Sequence, residues 1–288
     1  MSVLLATLCI NELEWLPHLY EQHKDWPELA SWVFVEAADA SYAQSNPEMV
    51  SKDFLSVDGT SQFLRSLEAK DPRVTYIPHG LSVDPNPAKC KCQARQRYLD
   101  VAEQVKPELV VVLDADEFYT YRDQQRVLAW VRRHWRTPSF VFRKREIWRP
   151  PSLADRPLFE SEVVGGFWKI DCCHWWRWSP GLNYRDCHNT PSNADGKPIN
   201  DPQQFFADHP YSPQMIHLGY AAKKEVRLAK NRYYADRGEA VDLKRSWYVE
   251  SRTAWENWKP GDPLPNGAEV IPYRGPVPEV FQAKEAKD

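Results

Sequence analysis

The stretch VVVLDADEFY, residues 110–119, decides how the chain is read. Val110, Val111, Val112 and Leu113 run without a polar break into Asp114, Ala115, Asp116 and Glu117. With Leu109, the segment is apolar at every position, as a strand requires when helices cover both faces of its sheet. Side chains of an extended chain alternate with period two, so Asp114 and Asp116 are expected to share a face. Two such carboxylates repel unless something positive lies between them. A hard divalent cation, Mn2+ or Mg2+, takes oxygen ligands and keeps positions open for phosphate oxygens. The plainer alternative has one Asp capping the next helix and the other hydrated. Short D-x-D matches recur by chance, and the wholly apolar strand before this one is what favours the metal.

Working outward, strands and helices alternate through the first half. Val3–Leu8 reads as a strand, followed by Asn11-Glu12 and a helix from about Pro17 to Lys24, where Pro suits a first turn. Trp32–Val35 is a second strand, ending near Glu36 and Asp39, and Val74–Ile77 a third, stopped by Pro78. Ala94, Tyr98, Val101, Ala102 and Val105 fall on one helical face. This alternation implies an α/β, doubly wound, mostly parallel sheet. Ligands of such sheets sit beyond the carboxyl ends of the strands, where Thr7, Asn11, Glu36, Asp39, Asp114 and Asp116 all fall.

The second half differs. A helix over about Asp123–Arg136 leads to a strand over Ser139–Ile147. Residues 165–192, GGFWKIDCCHWWRWSPGLNYRDCHNTPS, hold too many turn formers for another βαβ unit, and predict short strands and loops folded over the first half. Lys223–Arg237 reads as a helix, and from Trp258 onward Pro, Gly and charge predict an extended tail. We therefore expect one domain over 1–250, with a nucleotide-binding half (1–120) and an acceptor half (121–250), and a tail over 251–288.

Bulk properties narrow the function classes. A net charge of −3 carries no whole-chain mark of nucleic-acid binding. No run of 18 apolar residues and no basic-then-apolar leader occurs, which predicts no membrane-spanning segment and a cytoplasmic location. Cys9, Cys90, Cys92, Cys172, Cys173 and Cys187 show C-x-C and C-C spacings rather than C-x-x-C, so scattered buried thiols are expected before a zinc site. The 13 Trp suggest a large aromatic core or a surface for rings.

LDADEF at the end of a fourth strand resembles the D-x-D motif of the family 2-like glycosyltransferases with the GT-A fold. LLATLCINELEWLP (4–17) resembles that family's opening strand and helix entry, and CKCQARQRYLDVA (90–102) the basic helix before the D-x-D strand. MIHLGYAAKKEVRLAKNRYY (215–234) resembles its closing His segment and Lys-rich helix. The likeness runs in order over roughly residues 1–240. It implies a nucleotide-sugar donor, of which a UDP-sugar is the expected form. Asp116 would bind the metal, Asp114 the ribose or the metal, and His217 would be a third metal ligand. Thr7, Asn11, Glu36 and Asp39 would surround the base and ribose, and Arg95 would approach the phosphates. Gly165 and Gly166 would permit close backbone approach to the ligand, although a plain turn explains them equally. A His-Glu pair common in the family falls where this chain has YRDCHNTP, with Asn189 in place of Glu. Asp186, His188 and Asp171 are the substitutes for the proton acceptor. Whether the reaction inverts or retains the anomeric centre stays open. Glu117 has no catalytic role in this scheme; orienting the turn and capping the following segment are the two roles open to it.

The acceptor is read from residues 132–149, RRHWRTPSFVFRKREIWR, where seven basic residues interleave with Trp135, Phe140, Phe142 and Trp148. Basic groups with aromatics suit a polyanion with stacking bases, such as single-stranded or locally opened DNA. What the glycosyltransferase resemblance adds is one such acceptor, a hydroxymethylated base in bacteriophage DNA, met in the host cytoplasm. The alternative is a solvated basic face and a cell-surface polysaccharide or lipopolysaccharide acceptor. A noncatalytic nucleic-acid-binding protein on a degenerate transferase scaffold is a reading from another class. A nucleotidyltransferase would need a Gly-rich phosphate loop after the first strand, and CINELEWLP contains no glycine.

Overall fold

The structure is a computed structural model that describes residues 1–84, 87–140, 142–148, 159–162, 174–185, 190–199, 213–219, 223–236, 269–272 and 277–282. In chain order the elements are β1 (Val3–Cys9), α1 (Leu16–His23), β2 (Leu29–Asp39), α2 (Ala40–Ser45), α3 (Thr60–Lys70), β3 (Val74–Ser82), α4 (Pro87–Val105) and β4 (Leu109–Val112). There follow β5 (Glu117–Phe118), α5 (Tyr121–Arg133), β6 (Ser139–Phe140), β7 (Arg143–Trp148), β8 (Phe159–Glu162), β9 (Trp175–Arg177), β10 (Gln214–His217), α6 (Lys224–Asp236) and β11 (Glu269–Pro272).

The first sheet has the order β3-β2-β1-β4-β9-β6, with β3, β2, β1 and β4 parallel, β9 antiparallel to β4, and β6 antiparallel to β9. The α/β, doubly wound, mostly parallel class expected from the sequence is the one the chain adopts. Alternation along each strand splits the core into two layers. Val3, Leu5, Trp32, Phe34 and Val111 pack with α1, α3 and α5 through Leu16, Leu19, Leu64, Leu67, Val127 and Leu128. Leu4, Ala6, Val33, Val35, Val110 and Val112 pack with α4 through Ala94, Tyr98, Val101 and Ala102. Each fully buried aliphatic side chain contributes about 1.5–3 kcal/mol, which makes these two layers the main support of the strand ends. Val105, placed by periodicity on the buried face of α4, is 43% exposed because it closes the last turn beyond the sheet.

Two expectations are corrected. β3 does not stop at Pro78 but runs on to Ser82. It is an edge strand, so the missing proline N–H faces no neighbour, and a bulge takes up one residue where Ala37 pairs with Gly80 instead of His79. Gly80 adopts φ +74, and a Cβ there would meet the Asp53 carbonyl at 3.0 Å. The strand expected over Ser139–Ile147 is two strands, β6 in the first sheet and β7 in a second. That second sheet has the order β11-β8-β7-β10-β5.

β9 comes from the Trp-rich stretch. Trp175 enters the α1/α3/α5 layer and Trp176 the α4 layer, both fully buried, so adjacent tryptophans seal both faces beside β4. In the stretch read as tail, residues 277–282 lie against α1 and β5. Glu279 accepts from Gln22 Nε2 at 2.7 Å, and the Phe281 ring sits 4.9 Å from that of Phe118. No helix among the described residues is long and apolar enough to cross a membrane.

Candidate active site

β4 belongs to the first sheet and β5 to the second, so the Asp114–Asp116 turn is the seam between them. The turn is held by its own chain. Glu117 N–H donates to the Asp114 carbonyl at 3.0 Å, and the buried Glu117 carboxylate accepts from Asp114 N–H at 3.0 Å. His174 Nδ1 lies 3.3 Å from the same carboxylate and 3.0 Å from the Val112 carbonyl. Glu117 therefore orients the turn, as its place in the sequence suggests.

Asp114 and Asp116 both line one cleft beyond the carboxyl ends of β1, β2 and β4, together with Glu12, Asp39, Ser82, Arg95, Lys230 and Tyr233. Asp114 Oδ1 is 3.2 Å from Nη2 of the buried Arg95, a residue α4 presents from beneath. Asp116 turns to the second sheet. β10 pairs with β5 so that His217 stands opposite Glu117, and Leu218 N–H donates to the Asp116 carbonyl at 2.8 Å. That register puts His217 Nε2 at 3.3 Å from Asp116 Oδ2, and Lys230 Nζ lies 3.6 Å from the same oxygen.

Gly219 makes this approach possible. A Cβ at that position would lie 2.5 Å from His217 Cε1, 2.8 Å from Nε2 and 3.0 Å from Asp116 Oδ2. Nothing in the sequence MIHLGY marks this glycine, because its requirement is space rather than a positive φ. Glu12, next to Asn11, and with it Ser82 and Lys230 carry no signal of their own in the sequence and enter the cleft only in the fold. Burial and then the Asp116 carboxylate push the Glu12 pKa well above the usual carboxylate range, with Lys230 opposing.

The remaining sequence candidates divide by face. Thr7 and Glu36 lie on the α1/α3 side of the sheet rather than in the cleft. Thr7 Oγ1 accepts from Trp32 Nε1 at 3.1 Å. Glu36, fully buried, accepts from Ser56 N–H at 2.6 Å, from the Ser61 hydroxyl at 2.9 Å, and from the Tyr76 hydroxyl. Asn11 adopts φ +54, a left-handed conformation that Asn tolerates better than most residues. Its amide donates to the Met49 carbonyl at 2.6 Å and accepts from Val57 N–H at 2.9 Å, so it pins the 49–57 loop. Asp39 does reach the cleft, where it caps α2 through Tyr42 N–H at 2.8 Å and accepts from the Tyr233 hydroxyl at 2.6 Å. Its register partner Ser82 carries a buried hydroxyl that has no hydrogen-bond partner among the described residues. Asp171, Asp186, His188, Gly165 and Gly166 lie outside the described residues.

Can these residues hold a divalent ion? Among the described residues, no group of three or more His, Cys, Asp or Glu side chains is gathered to hold one. Asp116 and His217 nonetheless fit as a pair: donor atoms 3.3 Å apart are close to the roughly 3 Å spacing of neighbouring ligands about 2.1 Å from one octahedral ion. The space that a Gly219 side chain would fill lies beside them. Asp114, engaged by Arg95, is not part of that pair. Cys9, Cys90 and Cys92 are buried and form no disulfide, and the other three cysteines lie outside the described residues.

No protein-family model and no curated protein sequence matches the chain. Among solved structures, S. aureus TarS residues 1–349 is similar at 12% identity and TM-score 0.37, over 88% of this chain and 80% of that one. The same fragment in complex with UDP-GlcNAc gives 13% and 0.36, over 89% and 72%. A CMP:2-keto-3-deoxy-manno-octonic acid synthetase complexed with CTP gives 12% and 0.30, over 89% and 86%. The chain spans 44% of a longer S. aureus TarS structure.

Proposed function

We propose that the chain is a metal-dependent glycosyltransferase that takes a sugar from a nucleotide-sugar donor, a UDP-sugar, and places it on an acceptor hydroxyl. The observation that supports this best is the seam itself: one cleft gathers Asp116 and Lys230, with His217 set against the Asp116 carboxylate, and an Arg95–Asp114 pair beside them. A departing nucleoside diphosphate develops negative charge, and fixed cations in a partly dry cleft stabilise it more than water does. Asp116 and His217 would hold Mn2+ or Mg2+, which when bound neutralises charge on the diphosphate. Arg95 keeps the Asp114 carboxylate in place for a ribose hydroxyl and adds a permanent positive charge to the floor. Asp39 and Ser82, side by side at the ends of β2 and β3, form the nucleoside end. Asp186, with His188 and Asp171 as alternatives, is the proposed proton acceptor for the acceptor hydroxyl.

For the acceptor, the described residues of the basic stretch bear on the choice. Arg132 pairs with Glu28, just before β2 begins, and Arg136 lies 4.7 Å over the ring of Trp135, which is 64% exposed. Glu28 is at the amino end of β2 and the cleft at its carboxyl end, roughly 30 Å apart along a strand of 11 residues. Arg132 thus marks a place away from the donor cleft, which weakens its use in presenting a DNA base there. A cell-surface polysaccharide or lipopolysaccharide acceptor is the second reading that this separation favours. Hydroxymethylated DNA and a polysaccharide acceptor offered side by side with the donor, and weighed by mass spectrometry, distinguish the two.

Asp116→Asn tests the donor reading. We expect Mn2+-dependent UDP-sugar hydrolysis or transfer to fall by about 10³-fold, with the thermal unfolding midpoint nearly unchanged. Full turnover by the Asp114/Asp116 double variant in excess EDTA would sink the reading. Salt-sensitive DNA binding untouched by Asp116→Asn, with no turnover of any donor, would point to the noncatalytic alternative.

A further inference from the structure

α6 presents Val226, Lys230 and Tyr233 to the cleft, a spacing of four and then three that puts them on one helical face. Two hydrogen bonds fix the helix, one through its backbone and one from that face. Asn46 Nδ2 donates to the Ala229 carbonyl at 3.1 Å, and the Tyr233 hydroxyl donates to Asp39 at 2.6 Å. These two bonds set the height of α6 over the cleft, and with it the place of the Lys230 ammonium. That ammonium meets the Asp116 oxygen which His217 also faces.

The geometry carries a conflict. A divalent ion bound to Asp116 would sit about 2 Å from that oxygen, within a few ångströms of an ammonium already 3.6 Å away. Three positive charges that close repel strongly in a partly buried cleft, so the ion and the lysine cannot both hold the carboxylate. The Lys230 side chain is 36% exposed and flexible, whereas the Arg95 side chain is 4% exposed and locked on Asp114. Of the two cations, the more exposed Lys230 is the one whose long side chain can turn aside without displacing its helix.

We infer that Lys230 is a built-in counter-cation: it holds Asp116 in the free protein, yields the carboxylate to a divalent ion, and then contacts the diphosphate of the donor. The diphosphate half of this inference rests on the donor reading above; the competition with metal does not. In this arrangement Asp116 is never a bare buried charge, which would otherwise cost folding stability. Metal and lysine neutralise the cluster in turn, and the ammonium is released toward the phosphates when they arrive.

The test uses Lys230→Met and Lys230→Arg in the full chain, with Mn2+ alone and UDP alone as probes. Free Mn2+ followed by electron paramagnetic resonance, without nucleotide, should show about tenfold tighter Mn2+ binding in Lys230→Met and wild-type affinity in Lys230→Arg. UDP titrated calorimetrically in saturating Mn2+ should bind about tenfold more weakly to Lys230→Met, and in EDTA, where Lys230 stays on Asp116, the loss should be less than about threefold. Mn2+ affinity that stays the same or falls in Lys230→Met overturns the competition. Tighter Mn2+ with unchanged UDP affinity in saturating Mn2+ overturns the diphosphate contact. A wild-type chain that binds Mn2+ but no UDP overturns the donor reading while the Mn2+ arm still judges the competition, and one that binds neither overturns both.

Discussion

Two faces of one sheet treat the same kinds of residue in opposite ways. On the α1/α3 face, Thr7 and Glu36 sit at the ends of β1 and β2 and spend every oxygen the structure shows on Trp32, Ser56, Ser61 and Tyr76. On the α4 face, Asp39, Ser82, Asp114 and Asp116 sit at equivalent strand ends but open into a cleft, and the Ser82 hydroxyl is left without a partner among the described residues. Nearness to a strand end therefore does not make a polar residue part of a site. The parity of its position along the strand decides, because alternation sends neighbours to different layers.

Substitutions that are matched across the two faces should separate scaffold from site. The largest effect belongs to Glu36→Gln, which leaves a buried hub of donors half-answered and should cost about 3 kcal/mol in urea unfolding while sparing UDP affinity of the folded fraction. Loss of UDP affinity at full stability would mean that Glu36 serves the ligand, and the division by face would fail. Gly219→Ala is its counterpart at the seam. It pushes His217 from Asp116 and should lower turnover by about 100-fold, with a circular dichroism spectrum and unfolding midpoint close to wild type.

His23 extends the comparison to pH. It lies in α1 near the rings of Trp26 and Trp32, and burial pulls its pKa from 6.5 to about 3 despite a smaller opposing influence of Gln124. The folded state thus binds fewer protons than the unfolded one between these values. Its contribution is complete above pH 6.5 and is lost as pH falls toward 3. Between pH 7.5 and 5.5 the loss should be about 1.4 kcal/mol, and His23→Gln should flatten that part of the stability profile. A profile equally steep in the variant would place the acid sensitivity elsewhere. The smallest effect is at Ser82→Ala, expected to weaken UDP binding by about threefold to tenfold with unchanged stability, since the hydroxyl makes no bond that folding would miss. A destabilised Ser82→Ala with normal UDP affinity would move Ser82 to the scaffold side.

Much of the fold was legible because its signals are local. The unbroken apolar run of β4 announces a strand covered on both faces, and the four periodic residues of α4 that reach the sheet announce its partner layer. The edge strand was misjudged at Pro78 because proline's tolerance depends on having no neighbour on one side, a fact of sheet order and not of sequence. The split of Ser139–Ile147 between two sheets escaped for the same reason.

At the site, the sequence by itself determined the chemistry on offer: paired aspartates after an apolar strand, a late histidine, and an arginine on the preceding helix. Only the tertiary structure decided their pairing. It gave Asp114 to Arg95 and Asp116 to His217, brought Glu12 and Lys230 in from chain segments far from the D-x-D turn, and withdrew Thr7, Glu36 and Asn11 into the scaffold. The reason is reach. Periodicity along a strand or helix is fixed by local geometry, but which carboxylate meets which cation depends on strand register and helix docking between distant segments, and those form only when the core closes.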